Sequence, residues 1–232
     1  MKVQFSPEDN VLDIRCNNVF EATFTMDTVN SRDSLAALIS AAINIPITVV
    51  EITQNEQAPG YISEKHTQLN ILCRSDNGQL VNVQLTMYPD QFEPFSIEFF
   101  TCKLHTSQEI NNINDIYTDL RHTYQIIILS KRTLMQDQMY YHHFQYFDSE
   151  AGRELGGRTH IVTVELSKVD SVAEKDAAEM SVMERWAVFL RFSAGQAKRE
   201  LVNQILKLDE GISMAAETLL NATKDFGSGM IE

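Results

Sequence analysis

From Gln68 to Met87 the chain alternates polar and apolar residues, breaks at Asp76-Asn77-Gly78, and alternates again, a pattern that predicts two paired β-strands and a turn. The pattern also fixes the register. A two-residue loop at Asn77-Gly78 would set Ile71 opposite Gln84 and mix the two faces. A three-residue loop over Asp76 to Gly78, with Gly78 left-handed, sets Leu69 opposite Leu85, Ile71 opposite Val83 and Cys73 opposite Val81, so one face is apolar throughout. The other face then holds Asn70 opposite Gln84 and Gln68 opposite Thr86, four polar side chains on one patch.

Further elements follow from the same periodicities. Asn30 or Ser31 caps a helix over Ser34 to Ile43, and Pro46 closes it; Ile47 to Ile52 is a strand. Phe95 to Ser107 reads as a helix whose Phe95, Phe99, Cys102 and Thr106 form an apolar side, an aromatic set expected in the core rather than as a base-stacking platform. Tyr124 to Leu129 is a continuous apolar run suited to a buried central strand, with further strands at Tyr140 to Phe147 and Thr159 to Leu166. Ser181-Val182-Met183-Glu184 is a capping box, opening a run that carries Trp186, Phe189, Leu190 and Phe192. Helices over about Gln196 to Lys207 and Glu210 to Thr223 follow. This order predicts an α/β (α+β) chain with a core over 1–175, a helical extension over 176–226 packed on or beside it, and a flexible tail over 227–232.

Composition narrows the function classes. With 232 residues and a 44% hydrophobic share the chain can bury a sizeable core. Its net charge of −13 argues against broad, sequence-independent binding to duplex DNA, which relies on Lys and Arg neutralising phosphates. Lys131-Arg132 and Lys198-Arg199 are basic pairs rather than runs. Cys16, Cys73 and Cys102 form no CxxC pair, so neither a disulfide framework nor a zinc site is indicated, and Cys73 falls on the apolar hairpin face. His142 and His143 face opposite sides of a strand, and His66, His105, His122 and His160 lack chelating spacing. No stretch resembles a signal peptide or reaches transmembrane length, which places the expected protein in the cytoplasm, away from membranes.

The ordered set of segments resembles a known family. The Leu- and Ala-rich helix ending in Ile45-Pro46, the strand Ile47 to Ile52, Gln68-Leu69-Asn70-Ile71-Leu72, Asp76-Asn77-Gly78 and Val81-Asn82-Val83-Gln84-Leu85-Thr86 are similar to the bacterial PD-(D/E)XK nuclease family transposases, also called the Rpn family of recombination-promoting nucleases. Phe99 to Leu104, Tyr124 to Leu129, Glu184 to Leu190 and Lys207 to Ala215 extend the match from about Asn17 onward. The resemblance implies a restriction-endonuclease-like core, a central mixed sheet flanked by helices. It also implies site positions. The family's Asp in its Leu-Asp-Val strand falls on Asn70, the Glu of its Ile-Glu-Met-Gln strand on Gln84, and the Lys or Gln two residues later on Thr86. The early Asp-Phe-Val-Phe-Lys segment appears as Asn17-Asn18-Val19-Phe20-Glu21, and the family's Tyr-Tyr as Phe99-Phe100.

Those departures set the functional expectation. A PD-(D/E)XK site holds Mg²⁺ through carboxylates plus phosphate and water oxygens, and the ion activates water and stabilises the leaving oxygen. Asn and Gln offer a carbonyl oxygen without charge, and Thr86 offers no cation for a developing phosphorane. The expectation is a degenerate centre, catalytically inactive and without a resident cofactor, on a fold retained for DNA or protein binding and linked to mobile elements or recombination. Partners in view are DNA through a local patch, an active homologous nuclease, or a second copy of the chain. Two alternatives stand beside it. One is a Mg²⁺-dependent DNA endonuclease using displaced acids, for which Asp76, Asp90, Glu93 and Glu98 are close in sequence. The other is an acidic protein-interaction module.

Overall fold

The computed structural model describes residues 2–54, 68–87, 93–108 and 116–227. Helices α1 (Asn17–Thr25) and α2 (Val29–Ile43) precede a meander of β1 (Val49–Gln54), β2 (Gln68–Ser75) and β3 (Leu80–Thr86). Then come α3 (Glu93–Thr106), the single turn α4 (Ile116–Asp119), β4 (Thr123–Leu129), β5 (Tyr141–Phe144), the short pair β6 (Phe147–Asp148) and β7 (Arg153–Glu154), and β8 (Thr159–Glu165). The chain closes with α5 (Val182–Phe192), α6 (Arg199–Leu208) and α7 (Glu210–Gly227).

Six strands form one mixed sheet in the order β1-β2-β3-β4-β8-β5. The β1-β2-β3 meander is antiparallel, β3-β4 and β4-β8 are parallel, and β5 returns antiparallel along the edge. The hairpin register is the one the alternation requires: Leu69 lies opposite Leu85, Asn70 opposite Gln84 and Ile71 opposite Val83. Gly78 takes φ +76, and its N–H donates to the Ser75 carbonyl at 2.9 Å, closing the three-residue loop.

The two faces of the sheet differ. On one, Ile71, Cys73, Val81, Val83, Leu85, Ile126, Ile128, Val162 and Val164 pack with Phe20 and Phe24 of α1, Leu35 and Ile39 of α2, Trp186 and Phe189 of α5, Val202 of α6 and Ile212 and Leu219 of α7. Each such side chain contributes roughly 1.5–3 kcal/mol by leaving water. Burial without a charged neighbour pushes the Cys73 thiol up to about 12, so it behaves as a small apolar residue. On the other face α3 covers a small cluster of Ile97, Ile127 and Leu129.

Local chemistry sets the helix ends. The Thr28 side chain accepts from the Ser31 N–H at the start of α2, and Asn44 at φ 55 ends it in the left-handed conformation before Pro46. Ser181 and Glu184 form the capping box of α5 in both directions.

Several sequence expectations change. The helix α1 adds an element to the expected order, and α2 starts at Val29, five residues before the expected Ser34. The strand expected over Tyr140 to Phe147 stops at Phe144, and the chain leaves the sheet to make the exposed β6-β7 pair, turning at Gly152 with φ +64. The aromatic side expected to make α3 a core helix is exposed: Phe95 is 66% and Phe99 63% accessible, and Cys102 and Thr106 also face outward. The buried side is Glu93, Ile97 and Thr101, because the sheet face beneath α3 is polar at one end and only thinly apolar at the other.

Candidate functional site

The face of the sheet under α3 carries a ladder of amides that ends on one carboxylate. Pairing of β2, β3 and β4 sets Asn70 opposite Gln84, and places Gln125 of β4 opposite Asn82. The Asn82 amide donates from Nδ2 to Asn70 Oδ1 and to Gln125 Oε1, both at 3.0 Å. Gln125 Nε2 donates to Gln84 Oε1 at 3.0 Å, and Gln84 Nε2 donates to Glu93 Oε1 at 2.9 Å. Gln84 is 3% exposed, Asn82 7% and Glu93 2%. Such groups are stable in a protein interior only when hydrogen-bonded, and this network satisfies most of them.

Glu93 stands in the first turn of α3, where the positive end of the helix dipole favours a carboxylate. Further along the helix His105 Nδ1 lies 3.0 Å from Thr123 Oγ1, at the start of β4. The helix is thus tied to the sheet by polar contacts at both ends and by Ile97 between them.

The remaining sequence candidates fall elsewhere. Thr86 is completely buried at the end of β3, and its hydroxyl has no hydrogen-bond partner among the described residues. Asn17 opens α1, whose buried Val19, Phe20 and Phe24 belong to the opposite face of the sheet. Asp76 sits in the hairpin turn, where its carboxylate accepts from the Asn77 N–H at 3.0 Å. Glu98 is exposed on α3, and Asp90 lies outside the described residues. Of the four acids near in sequence, Glu93 is the one described against the amides.

Sequence reasoning misses Asn82 and Gln125. The available signal is an amide set among apolar residues of a buried strand, but its partners lie partly on other strands. A row of histidines on the opposite face is hidden for the same reason. His122 Nδ1 is 2.8 Å from His160 Nε2, and His143 Nε2 is 3.2 Å from His160 Nδ1, joining the start of β4 to β8 and β5. Both ring nitrogens of His160 are used in the row, so the three rings do not converge on one point.

A family model matches residues 14–226, nearly the whole chain, and describes the PD-(D/E)XK nuclease family transposases. The chain belongs to that family. No curated protein and no solved structure matches it. The mixed sheet with its antiparallel meander, intervening α3 and parallel β4 is consistent with the nuclease-like fold.

Members of this family are nucleases that typically use Mg²⁺, so the residues present can be tested against that ion. Mg²⁺ requires near-octahedral oxygen ligands, with carboxylates supplying the charge. Here Asn70 and Gln84 are neutral, and the carbonyl oxygen of each already accepts an amide N–H. An ion between Gln84 and Glu93 would meet the Gln84 NH₂ group. Turning that amide over would bring Gln84 Nε2 against Gln125 Nε2, donor against donor. The ladder does not fit the ion, and no cluster of three His, Cys, Asp or Glu able to hold a metal occurs among the described residues. Two surface clefts, of about 740 and 600 Å³, are lined by residues of 4–7 with 196–207 and of 131–138 with 167–168, and neither includes a ladder residue. Among the described residues no helix is long and apolar enough to cross a membrane.

Proposed function

We propose that this family member does not hydrolyse DNA and is retained as a binding fold, acting beside mobile elements or an active relative. The observation that supports the reading is the contact of Gln84 Nε2 with Glu93 Oε1, a hydrogen-bond donor at a position where the family resemblance implies an oxygen ligand. Without the carboxylates, neither the activation of water nor the stabilisation of a leaving oxygen has a charged support. The remaining fold still offers surfaces for DNA or for a homologous chain, and the net charge of −13 favours a local contact over broad attraction to duplex DNA.

The test is plasmid cleavage with Mg²⁺ or Mn²⁺ by the unmodified protein and by the Asn70→Asp/Gln84→Glu variant. Cutting gained only by the variant supports the reading. Metal-dependent cutting by the unmodified chain overturns it and favours a second one, in which Glu93, as a displaced acid beside Gln84, serves an active endonuclease. Gel-shift titration against salt addresses the binding half, because a phosphate contact weakens as salt rises.

A further inference from the structure

We propose that Glu93 holds α3 to the sheet through the amide ladder in place of a metal ion, so that Gln84 and Glu93 form a matched pair: an ionised acid at position 84 is compatible with an ionised Glu93 only when a divalent cation lies between them. The inference rests on the non-hydrolysing reading and gives it a structural cause.

The direction of the ladder carries the argument. Gln84 turns its NH₂ group to Glu93 and its oxygen to Gln125, the orientation that suits a carboxylate, which only accepts hydrogen bonds when ionised. Gln125 must then present its Nε2 to Gln84 and its Oε1 to Asn82. Asn82 in turn presents Nδ2 to both Gln125 and Asn70. Reversing any one amide sets donor against donor or acceptor against acceptor. One charge at the head of α3 therefore orients four amides on three strands.

The same geometry explains why a neutral side chain occupies position 84. Were residue 84 a glutamate, two buried carboxylates would meet at the distance of the present 2.9 Å hydrogen bond. Like charges that close in a medium of low dielectric do not both ionise without a cation. A site that relinquishes its metal must lose one of the two charges, by protonation or by substitution, and an amide at position 84 converts the repulsion into a hydrogen bond. The adjustment carries one visible cost, since Asn82 Oδ1 is buried and has no partner among the described residues.

The experiment is thermal unfolding of the full chain, in EDTA and in a Mn²⁺ titration, read separately from any cleavage. Gln84→Glu is expected to lower the midpoint in EDTA by on the order of 5 °C or more, and Mn²⁺ is expected to restore it saturably. The exchange variant Gln84→Glu/Glu93→Gln keeps one acid and one amide, with the carboxylate now on β3 accepting from the amide now on α3 and still accepting from Gln125. Its midpoint is expected to return to near that of the unmodified protein in EDTA, without a Mn²⁺ response. The unmodified protein is expected to show no Mn²⁺ response either. The proposal is overturned by an exchange variant no more stable than Gln84→Glu, by Gln84→Glu matching the unmodified protein in EDTA, or by Mn²⁺ stabilising the unmodified chain. If Gln84→Glu does not fold in EDTA, the exchange variant decides: a folded, Mn²⁺-indifferent protein supports the pairing and an unfolded one overturns it. Cleavage by the unmodified chain would overturn the non-hydrolysing reading and leaves these midpoints a separate measurement.

Discussion

The histidine row on the core face makes stability depend on pH in a calculable way. His160 is 7% exposed, its two nitrogens are engaged by His122 and His143, and its ring stacks on Tyr124 with centroids 4.7 Å apart. Burial, and then the two neighbouring imidazoles, lower its pKa from 6.5 to about 4. His122 and His143 are lowered too, chiefly by burial, with Arg158 adding to the effect on His122 and Glu154 opposing it on His143. For a histidine depressed in the folded state, the unfolded chain binds more protons between the two values, so the folded state is favoured fully above about pH 6.5. That advantage is lost as pH falls toward about 4 and changes no further below it. The drop from 6.5 to about 4 corresponds to roughly 3 kcal/mol for His160 alone. His160→Phe keeps a ring against Tyr124 and removes the titration. Urea unfolding of both proteins at several values from pH 7 to pH 4 should give curves that converge by about 3 kcal/mol as pH falls. The carboxyls held low by their partners, such as Asp13 and Glu184, are common to both proteins and cancel in the difference. Parallel curves across that window would refute the assignment.

Three further outcomes can be checked by the same unfolding measurements. Lys168 is 2.9 Å from Glu165, whose side chain is fully buried, and also pairs with Asp137; Lys168→Met should cost about 3 kcal/mol or more by stranding that carboxylate, and adding Glu165→Gln should recover much of it. Asn203 clamps the backbone of Phe5, accepting from its N–H at 2.8 Å and donating to its carbonyl at 2.9 Å, so Asn203→Ala should cost about 1–2 kcal/mol and speed proteolytic cleavage before Val11. Ser181→Ala removes one half of the α5 capping box and should cost about 1 kcal/mol.

What the sequence discloses follows from the range of the forces involved. The β2-β3 register is legible because a period of two and a glycine turn are local, and any slip would turn Ile71, Val83 and Leu85 away from the core. The capping box is legible because its two bonds span three residues. The site positions Asn70 and Gln84 are legible through their place in that hairpin, but not their partners. Gln125 joins them across the parallel β3-β4 pairing and Glu93 through the placement of a helix, both relations that no local pattern encodes. The face of α3 misleads because its apolar content marks the exposed side. The burial of Glu93 reverses the usual rule, since a hydrogen-bonded carboxylate at a helix head can lie inward while Phe95 and Phe99 stay outside. The helix α1 has its own signal, with Val19, Phe20, Thr23 and Phe24 buried at helical spacing, but only nine residues to show it.

Thr86 supplies a sharper test of the proposed loss of hydrolysis. The resemblance sets Thr86 at the family's cation position, and a residue there engaged with phosphate or water would keep its hydroxyl accessible or bonded. Here the hydroxyl is buried without a partner among the described residues, with Leu129 alongside on β4. Thr86→Val preserves the shape and removes an unsatisfied polar group, so stability should be unchanged or should rise by about 1 kcal/mol, against the usual loss for a buried hydroxyl that is bonded. Thr86→Lys should do the opposite, forcing an ammonium group into a closed position and costing about 3 kcal/mol or more. A Thr86→Val loss above about 1 kcal/mol in urea unfolding would show a hydroxyl with a structural or binding duty, and with it a site less thoroughly converted than the amide ladder implies.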